Sequence, residues 1–477
     1  MVALSCPLTY VLLLGGVTAR ALEFDIPSSP PITNSSATIE SNPLGISIEF
    51  YSFPKFLEWA LTESCLAHLN DAMGEATPIR IGGVTQDRAV YNSSLASATN
   101  YTGTSLPTYL SFGDSFIELA ASYNGSVILG LNRRLNDVNN TIAAAELALS
   151  EMRNLYAIEL GNEPNLWTTS DPIAGGSWSY SLDAASEVLW QKKVGEALGI
   201  TDFVQAGVFS GNSGSYTIQE LSAEVSSAGT GQYIRTYCHH YYAQSSTTAN
   251  LTTLMSHESI VAGAFKYQAQ VDAAESANKP YLFGETNSVS GGGAGVSPTY
   301  GAGLWILDYM MQGLLVGSKG MYFHQGITGS CQYCWWGSGE LRAPFYGAYT
   351  AALALSGASK ISQLDNGTGN YAAYAIYDST GAASRVLLYN SEYYASGTRS
   401  SVSFTLTGIS ASSVNAKRLT ADTSDTQIGL GSITIAGQSF VDTTCQLTGT
   451  ETIETTAVTS GAATFSVQAS EALLIYL

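Results

Sequence analysis

The stretch YAIELGNEPNLW, residues 156–167, joins an apolar strand to a candidate catalytic group. Its first five residues are mostly apolar, as expected for a buried β-strand. Gly161 ends this run and is followed by Asn162 and Glu163. A carboxylate at the carboxyl end of an apolar strand is typical of the functional face of a parallel barrel. The segment therefore predicts parallel strands and a functional glutamate.

A second stretch of the same design, PYLFGETN, occupies residues 280–287. Here the apolar run ends at Gly284 and presents Glu285. One such glutamate is more often a helix cap or a solvated side chain. Two carboxylates, each at the end of its own strand, are the groups that a glycosidase needs.

Strand and helix patterns alternate eight times between residues 45 and 355. The predicted strands cover residues 46–50, 78–81, 126–131, 156–160, 203–208, 233–238, 281–283 and 321–324. Eight such units predict an α/β fold, the (β/α)8 TIM barrel. Glu163 follows the fourth strand and Glu285 the seventh, so both are expected on the C-terminal face of the barrel.

The pattern changes after residue 355. Helical periodicity gives way to short alternating strands separated by Ser, Thr and Gly, which predicts an antiparallel β-sandwich over residues 356–477. Residues 22–44 are polar and extended, and could add a strand to that sandwich. Residues 45–355 would then form the catalytic barrel.

Several features predict secretion. Residues 1–21 have an apolar stretch before Ala19-Arg20-Ala21, as in a cleaved signal peptide, and no later segment predicts a membrane helix. N-glycans are expected because seven Asn-x-Ser/Thr triplets occur. These triplets begin at Asn34, Asn92, Asn100, Asn124, Asn139, Asn250 and Asn366.

Five cysteines follow the predicted signal peptide, namely Cys65, Cys238, Cys331, Cys334 and Cys445. An odd number leaves at least one free thiol unless a bridge joins two chains. The Cys331-x-x-Cys334 pair could be a metal half-site or a redox pair. Because no second cysteine pair or histidine partner accompanies it, a loop disulfide or two buried side chains is favoured.

The charge of the chain excludes several classes of partner. With 19 basic and 38 acidic residues, the formal net charge is −19. Such a field repels nucleic acids, anionic membranes and heavily sulfated glycans. The sequence also has no phosphate-binding glycine loop and no His/Asp cluster at ligand spacing, so no cofactor and no metal are predicted.

The two glutamate motifs, with YCHHYY at residues 237–242 and GETNSVSGGG at residues 284–293, resemble glycoside hydrolase family 79. This family contains β-glucuronidases and heparanase, and the resemblance covers the barrel and the sandwich. It implies that Glu163 is the general acid/base and Glu285 the nucleophile of a retaining mechanism. It also implies that Arg80 is an orienting charge near the nucleophile.

The resemblance further assigns the substrate contacts. Asn162 would bind the 2-hydroxyl of the sugar, and Tyr241 would contact the nucleophile and the sugar. Strand alternation places His239 on the same face as Tyr241. His240 and Tyr242 are accordingly predicted to belong to the barrel core.

A glucuronic acid also needs a receptor for its own carboxylate. The resemblance implies the backbone amides of Gly291 and Gly292, together with Tyr333 and Gln325, and it implies that Glu49 binds sugar hydroxyls. Glycine lets the backbone approach an anion closely. The alternative is a flexible glycine-rich loop beside a packing tyrosine.

Heparanase-like endo-enzymes need basic clusters to hold a sulfated polymer, and this acidic chain has none. The sequence therefore predicts a secreted, exo-acting, retaining β-glucuronidase for terminal glucuronic acid or its 4-O-methyl form. One alternative is another retaining β-glycosidase, acting on xylosides or glucosides. The other is a non-catalytic carbohydrate-binding protein, against which the presence of both glutamates argues.

Overall fold

The computed structural model describes residues 21–103, 106–212, 214–326 and 331–477. The predicted signal peptide lies outside the described residues up to position 20. Its last residue, Ala21, begins strand β1 (Ala21–Asp25). None of the described helices is long and apolar enough to cross a membrane.

The fold is built on a closed barrel of eight parallel strands, which confirms the predicted TIM barrel. In chain order the barrel strands are β2 (Leu44–Glu49), β3 (Ile79–Gly82), β7 (Val127–Leu131), β8 (Leu155–Leu160), β9 (Val204–Ser210), β10 (Ile234–Ser245), β11 (Tyr281–Ser290) and β12 (Met321–Gln325). Strand β12 pairs with β2 and closes the ring. Between β3 and β7, a small sheet contains β4 (Ala89–Tyr91), β5 (Thr99–Tyr101) and β6 (Leu110–Phe112).

Helices surround the barrel and bury an apolar face against its strands, as their spacing of apolar residues predicts. They are α1 (Phe53–Leu57), α2 (Ala60–Met73), α3 (Asp114–Ala121), α4 (Val138–Glu151), α5 (Tyr180–Leu198), α6 (Ile218–Ala228), α7 (Leu251–Met255), α8 (His257–Phe265), α9 (Gln268–Ser276), α10 (Tyr300–Leu315) and α11 (Pro344–Leu355). All but the last residue of α10 are buried, because this helix lies between the barrel and the C-terminal sheets.

The C-terminal part is a sandwich of two sheets. The larger sheet contains β13 (Lys360–Gln363), β14 (Tyr371–Tyr377), β15 (Ala383–Asn390), β17 (Ser413–Ala421), β18 (Ile433–Ile435), β21 (Glu454–Ala457) and β23 (Glu471–Tyr476). The smaller sheet contains β1, β16 (Ser401–Thr407) and β22 (Ala463–Gln468), and β19 (Ser439–Phe440) pairs separately with β20 (Leu447–Thr448). Apolar side chains of both sheets form one core. We retain residues 45–355 and 356–477 as the proposed domains.

A disulfide and a buried ionic cluster join the barrel to the sandwich. Cys65 of α2 is bonded to Cys445, 380 residues later. In the cluster, His257 lies between Asp308 of α10, at 2.8 Å from Nδ1, and Asp365, at 3.0 Å from Nε2. Burial lowers the pKa of His257, but the two carboxylates outweigh it and raise the pKa to about 10. The imidazolium therefore bridges two carboxylates within the interface and offsets one of their two negative charges.

Replacing His257 with alanine should lower the free energy of unfolding by about 3–5 kcal/mol, because two carboxylates lose their buried counter-charge. Since the folded pKa is raised, the contribution of His257 is complete below about pH 6.5 and is lost as the pH rises through about 10. Urea unfolding of the wild type and of His257→Ala at pH 7 and pH 10 measures the contribution of His257 and its pH dependence. The control is His68→Ala, which removes a half-buried histidine of α2. If raising the pH from 7 to 10 lowers the free energy of unfolding of the wild type and of His257→Gln by equal amounts, the assignment of a charged His257 is contradicted.

Candidate active site

Glu163 and Glu285 meet at the C-terminal mouth of the barrel. Glu163 lies three residues beyond the end of β8, and Glu285 lies in the middle of β11. One carboxylate oxygen of each lies within 4.8 Å of the other, and His240 Nδ1 lies within the same distance of both. His240 Nδ1 is 3.0 Å from Glu163 Oε1. Two barrel strands distant in sequence therefore place two carboxyl groups at a separation that one sugar ring can bridge.

The turn that carries Glu163 has an unusual backbone. Glu163 adopts a left-handed conformation with φ 49°, and Gly161 has φ 90°. The Glu163 amide donates to the carbonyl of Val208, at 2.9 Å. Val208 itself has φ 53°, which is costly for a β-branched residue. Such strain persists only where surrounding contacts hold it, so strand β9 and this turn fix the direction of the Glu163 side chain.

Asp87 stabilises the same turn through hydrogen bonds. Its carboxylate accepts from the Asn162 amide, at 3.1 Å, and from Trp167 Nε1, at 3.0 Å. Burial raises the pKa of Asp87 to about 7, although both hydrogen bonds oppose that change. A Cβ on Gly161 would lie 2.7 Å from the Trp167 ring, so glycine is required there. Asp87 and Trp167 thus position Asn162 and Glu163 together.

Glu285 is surrounded by groups that stabilise a negative charge. Arg80 Nη1 donates to Oε2 at 2.7 Å, and the Tyr242 hydroxyl donates to Oε1 at 2.8 Å. His324 Nδ1 lies 3.5 Å from Oε2. Burial alone would raise the pKa of Glu285, but His324, His240, Arg80 and the Tyr242 hydrogen bond together hold it well below its ordinary value. Glu285 is therefore ionised at neutral pH, as a nucleophile must be.

Arg80 is the centre of a buried network, in agreement with its predicted orienting role. It is fully buried and binds Glu159 through Nε, at 2.9 Å, and Nη2, at 2.7 Å. Nη2 also donates to Asn162 Oδ1 at 2.9 Å. One guanidinium therefore orients the Glu285 carboxylate and the amide beside Glu163, and its planar fork suits this arrangement.

Glu49, the last residue of β2, also lies at the site. Its carboxylate accepts from the Thr85 amide at 2.8 Å and from the Thr85 hydroxyl, and it lies 3.4 Å from His324 Nε2. Burial lowers the pKa of His324, but Glu285 and Glu49 outweigh burial and raise it. His324 thus links Glu49 to Glu285. The structure places Glu49 and Asn162 in the predicted site.

The predictions for His239 and Tyr241 are wrong. His239 packs outside the barrel against the rings of Phe209 and Tyr267, and burial lowers its pKa to about 3. The Tyr241 hydroxyl lies against Gly263 of α8. The alternate residues, His240 and Tyr242, enter the site instead. Alternation separates the two sets correctly, but both sides of this strand are buried and aromatic, so the pattern does not reveal which set faces the axis.

The glycine-rich segment and the loop after β12 lie against each other. Gly291, Gly292 and Gly293 all have positive φ, from 69° to 101°, and Gly293 packs on Gln332. The neighbouring Tyr333 ring packs on Tyr242, with centroids 5.9 Å apart. Tyr333 therefore lies beside Tyr242, which donates a hydrogen bond to Glu285. Whether the glycines bind a carboxylate stays a prediction.

Gln325, also predicted to bind substrate, is fully buried at the end of β12. Its side-chain oxygen accepts from the Trp335 amide at 2.7 Å, while its nitrogen has no hydrogen-bond partner among the described residues. Cys331 and Cys334 form a disulfide that encloses Tyr333, which agrees with the favoured loop disulfide. Cys238 is buried and is not bonded to any cysteine of the described residues. Gln325 and the disulfide therefore support the loop that carries Tyr333.

Within the described residues, two groups could offer three ligand atoms to a metal: Glu159, Cys238 and His240, and Glu163, His240 and Glu285. One glutamate of each group, Glu159 or Glu285, already has Arg80 as its positive counter-charge. This arrangement suits acid–base and nucleophilic chemistry without a bound cation.

The chain is similar to several known proteins. Residues 373–474 match the model of the glycosyl hydrolase family 79 C-terminal beta domain. A "Beta-glucuronidase" of Neurospora crassa is 30% identical over 367 residues, which cover 67% of this chain and 65% of that protein, somewhat under two thirds of its length. A "Beta-glucuronidase" of Aspergillus niger is 30% identical over 380 residues, covering 70% of this chain and 69% of that protein.

One solved structure is much more similar. It is described as a 4-O-α-L-rhamnosyl-β-D-glucuronidase from Fusarium oxysporum 12S in complex with Rha-GlcA. The two chains are 50% identical and superpose with a TM-score of 0.93, over 96% of this chain and all of that one. The barrel, the sandwich and their relative placement are therefore common to both.

Proposed function

Because the chain belongs to glycoside hydrolase family 79, we propose that it is a retaining, exo-acting β-glucuronidase. Its substrates are glycans or small glucuronides that carry a terminal β-linked glucuronic acid. The observation that supports this most directly is the pair Glu163 and Glu285, whose nearest oxygens lie within 4.8 Å. Retaining enzymes need their carboxyl groups about 5–5.5 Å apart, whereas inverting enzymes need about 6.5–9.5 Å.

In the proposed mechanism, ionised Glu285 attacks the anomeric carbon while Glu163 donates its proton to the departing glycosidic oxygen. The C1–O bond breaks, and a covalent glycosyl ester forms on Glu285. Water then attacks C1 as Glu163 takes up its proton, and the ester bond breaks to restore the carboxylate of Glu285. His240, which contacts Glu163, would orient the carboxyl group during both proton transfers.

The carboxylate of the glucuronic acid is proposed to lie between the glycine-rich segment and Tyr333. The backbone amides of Gly291 and Gly292 are the proposed donors, because successive positive-φ residues can turn their N–H groups towards one anion. The Gln325 amide nitrogen, which has no hydrogen-bond partner among the described residues, is a further proposed donor near this loop. Glu49 and Asn162 would bind ring hydroxyls.

The protein is proposed to act outside the cell as a glycoprotein. All seven sequon asparagines have exposed side chains, so each is accessible to glycosylation. The net charge of −19 favours weakly charged glycans over sulfated polymers.

A second candidate is suggested by the Fusarium structure. That protein is described as a 4-O-α-L-rhamnosyl-β-D-glucuronidase, and half of its residues are identical to those of this chain. This chain would then release glucuronic acid that carries a rhamnose on O4, in the form of the disaccharide. The first candidate requires a free O4, or one that carries only a methyl group.

Turnover of matched aryl glycosides tests the proposed sugar. We expect kcat/KM for p-nitrophenyl β-D-glucuronide to exceed that for the β-D-glucoside and β-D-xyloside by about 10³-fold, because the carboxylate donors stay unpaired with a neutral sugar. Proton NMR should show the β-anomer of the released sugar first. Comparable turnover of all three glycosides would contradict a uronate-specific site, and initial release of the α-anomer would contradict retention.

A further inference from the structure

Strand β9 contains a β-bulge beside Glu163, the proposed acid/base residue. In the register between β9 and β10, Gly207 pairs with Cys238 and the next paired residue of β9 is Phe209, so Val208 is an extra residue. Bulges beside active sites redirect a side chain or a backbone group. Here the redirected group is the Val208 carbonyl, which accepts from the Glu163 amide at 2.9 Å.

A buried glutamate of helix α5 holds the first residue of this bulge. The Gly207 amide donates to Glu187 Oε1 at 3.2 Å, and Gln191 Nε2 donates to the same oxygen at 3.2 Å. Gly207 and Val208 both have positive φ, 92° and 53°, and such a backbone persists only where its contacts hold it. A chain of two adjacent residues therefore connects the Glu187 carboxyl group to the backbone of Glu163.

The stability of the fold does not account for Glu187. Its side chain is buried, and Oε2 has no hydrogen-bond partner among the described residues. A buried carboxyl group with one oxygen unpaired destabilises the folded protein. Burial raises the pKa of Glu187, although Arg133 opposes this change. What Glu187 does contribute is the acceptor for the Gly207 amide.

Helix α5 also supports the turn of Glu163 from the β8 side. Asp183, one helical turn before Glu187, forms a buried ion pair with Arg133 at 2.5 Å. Arg133 Nε in turn donates to the carbonyl of Leu160, the last residue of β8, at 2.9 Å. The same helix therefore contacts, directly or through one residue, both strands that position Glu163.

We propose that Glu187 is a positioning residue for Glu163, which stabilises the bulge of β9 and so directs the proton donor towards the glycosidic oxygen. This role rests on the proposed glucuronidase function and deepens it. Glu187 does not touch the substrate. It acts through the Gly207 amide and the Val208 carbonyl, so its loss should impair proton transfer rather than nucleophilic attack.

Two substrates that differ only in the leaving group test this role: phenyl β-D-glucuronide, whose phenolate needs a proton, and 2,4-dinitrophenyl β-D-glucuronide, whose leaving group does not. In Glu187→Leu, kcat/KM for the phenyl compound should fall about 10–100-fold, and kcat/KM for the dinitrophenyl compound should change less than about twofold. Glu187→Gln keeps an acceptor oxygen and should restore most of the activity on the phenyl compound. Glu196→Leu, at an exposed position of the same helix, is the matched control and should behave as the wild type.

A second variant disturbs the bulge without changing Glu187. In Gly207→Ala the added Cβ would lie 2.9 Å from the Cys238 carbonyl oxygen, so the bulge must shift and the same selective loss is expected. Thermal unfolding checks that each variant is folded, and Gly207→Ala decides if Glu187→Leu is not. The proposal is overturned by an equal loss for both substrates, by full activity on the phenyl compound, or by a Glu187→Gln variant as impaired as Glu187→Leu.

Failure of the proposed function has a different signature. It fails if the wild type hydrolyses neither compound, or if Glu163→Ala loses activity equally on both. Hydrogen exchange of the backbone amides in residues 162–166 then tests the role of Glu187 by itself. Exchange should be faster in Glu187→Leu than in the wild type and Glu187→Gln, because the Glu163 amide loses a fixed acceptor. Equal exchange in all three proteins would refute the positioning role.

Discussion

Replacing Glu285 with glutamine should reduce kcat for p-nitrophenyl β-D-glucuronide by ~10⁴-fold or more, because an amide oxygen does not form the glycosyl ester. The variant should still fold. The amide oxygen can accept from Arg80 or from Tyr242, and the site loses a buried charge rather than gaining one. Steady-state kinetics and thermal unfolding measure the two quantities. Glu63→Gln, which changes an exposed glutamate on α2, is the matched control and should behave as the wild type.

A smaller side chain at position 285 identifies the role of the residue by product stereochemistry. In Glu285→Gly, azide can occupy the space of the carboxylate and attack C1 from the same side. The product would be the α-glucuronosyl azide, because the single displacement inverts the β-linkage. Wild-type activity of Glu285→Gln, or a β-azide from Glu285→Gly, would contradict assignment of Glu285 as the nucleophile.

Replacing Glu163 with alanine should lower kcat/KM by about 10²–10⁴-fold for substrates whose leaving group needs a proton. The loss should be much smaller for 2,4-dinitrophenyl β-D-glucuronide, because dinitrophenolate departs without protonation. Removal of the base also slows hydrolysis of the glycosyl ester, so KM for this substrate should fall as the intermediate accumulates. A plot of log(kcat/KM) against leaving-group pKa, compared with the wild type, measures the effect.

Azide distinguishes this variant from the Glu285 variants. It should accelerate Glu163→Ala by attacking the ester from the face that Glu163 occupied, and the product should be the β-glucuronosyl azide. A uniform loss for all leaving groups would contradict a proton-donor role. It would instead indicate that Glu163 acts through the turn it shares with Asn162.

The positions of Glu163 and Glu285 follow from the sequence, whereas those of His239 and Tyr241 do not, and this difference has a physical origin. Side chains at the carboxyl ends of parallel barrel strands share one face, so a sequence that alternates strands and helices is enough to bring Glu163 and Glu285 together. In β10, by contrast, residues on both sides of the strand are buried, and both sets contain histidine and tyrosine. Without a polar side, the sequence does not show which set of alternate residues faces the site. It therefore predicts His239 and Tyr241 where the structure has His240 and Tyr242.

Other contacts have no local sequence signal because their partners are far apart in the chain. Asp87 reaches Asn162 and Trp167 across 75 and 80 residues, and Cys65 pairs with Cys445 across 380. His324 was predicted only as part of a strand, yet it lies between Glu49 and Glu285. The sequence holds one signal for this role of His324: it is a histidine at the end of a barrel strand, where the predicted site residues Glu49 and Glu285 also lie.

The sequence by itself determined the barrel, the sandwich and the two carboxylates, because each depends on local periodicity and on where a strand ends. Only the tertiary structure decided the remainder of the site. It selected which side of β10 faces the site and placed Arg80 and His324 beside Glu285. These features depend on the closure of eight strands around one axis, which converts separations of up to a few hundred residues into contacts of about 3 Å.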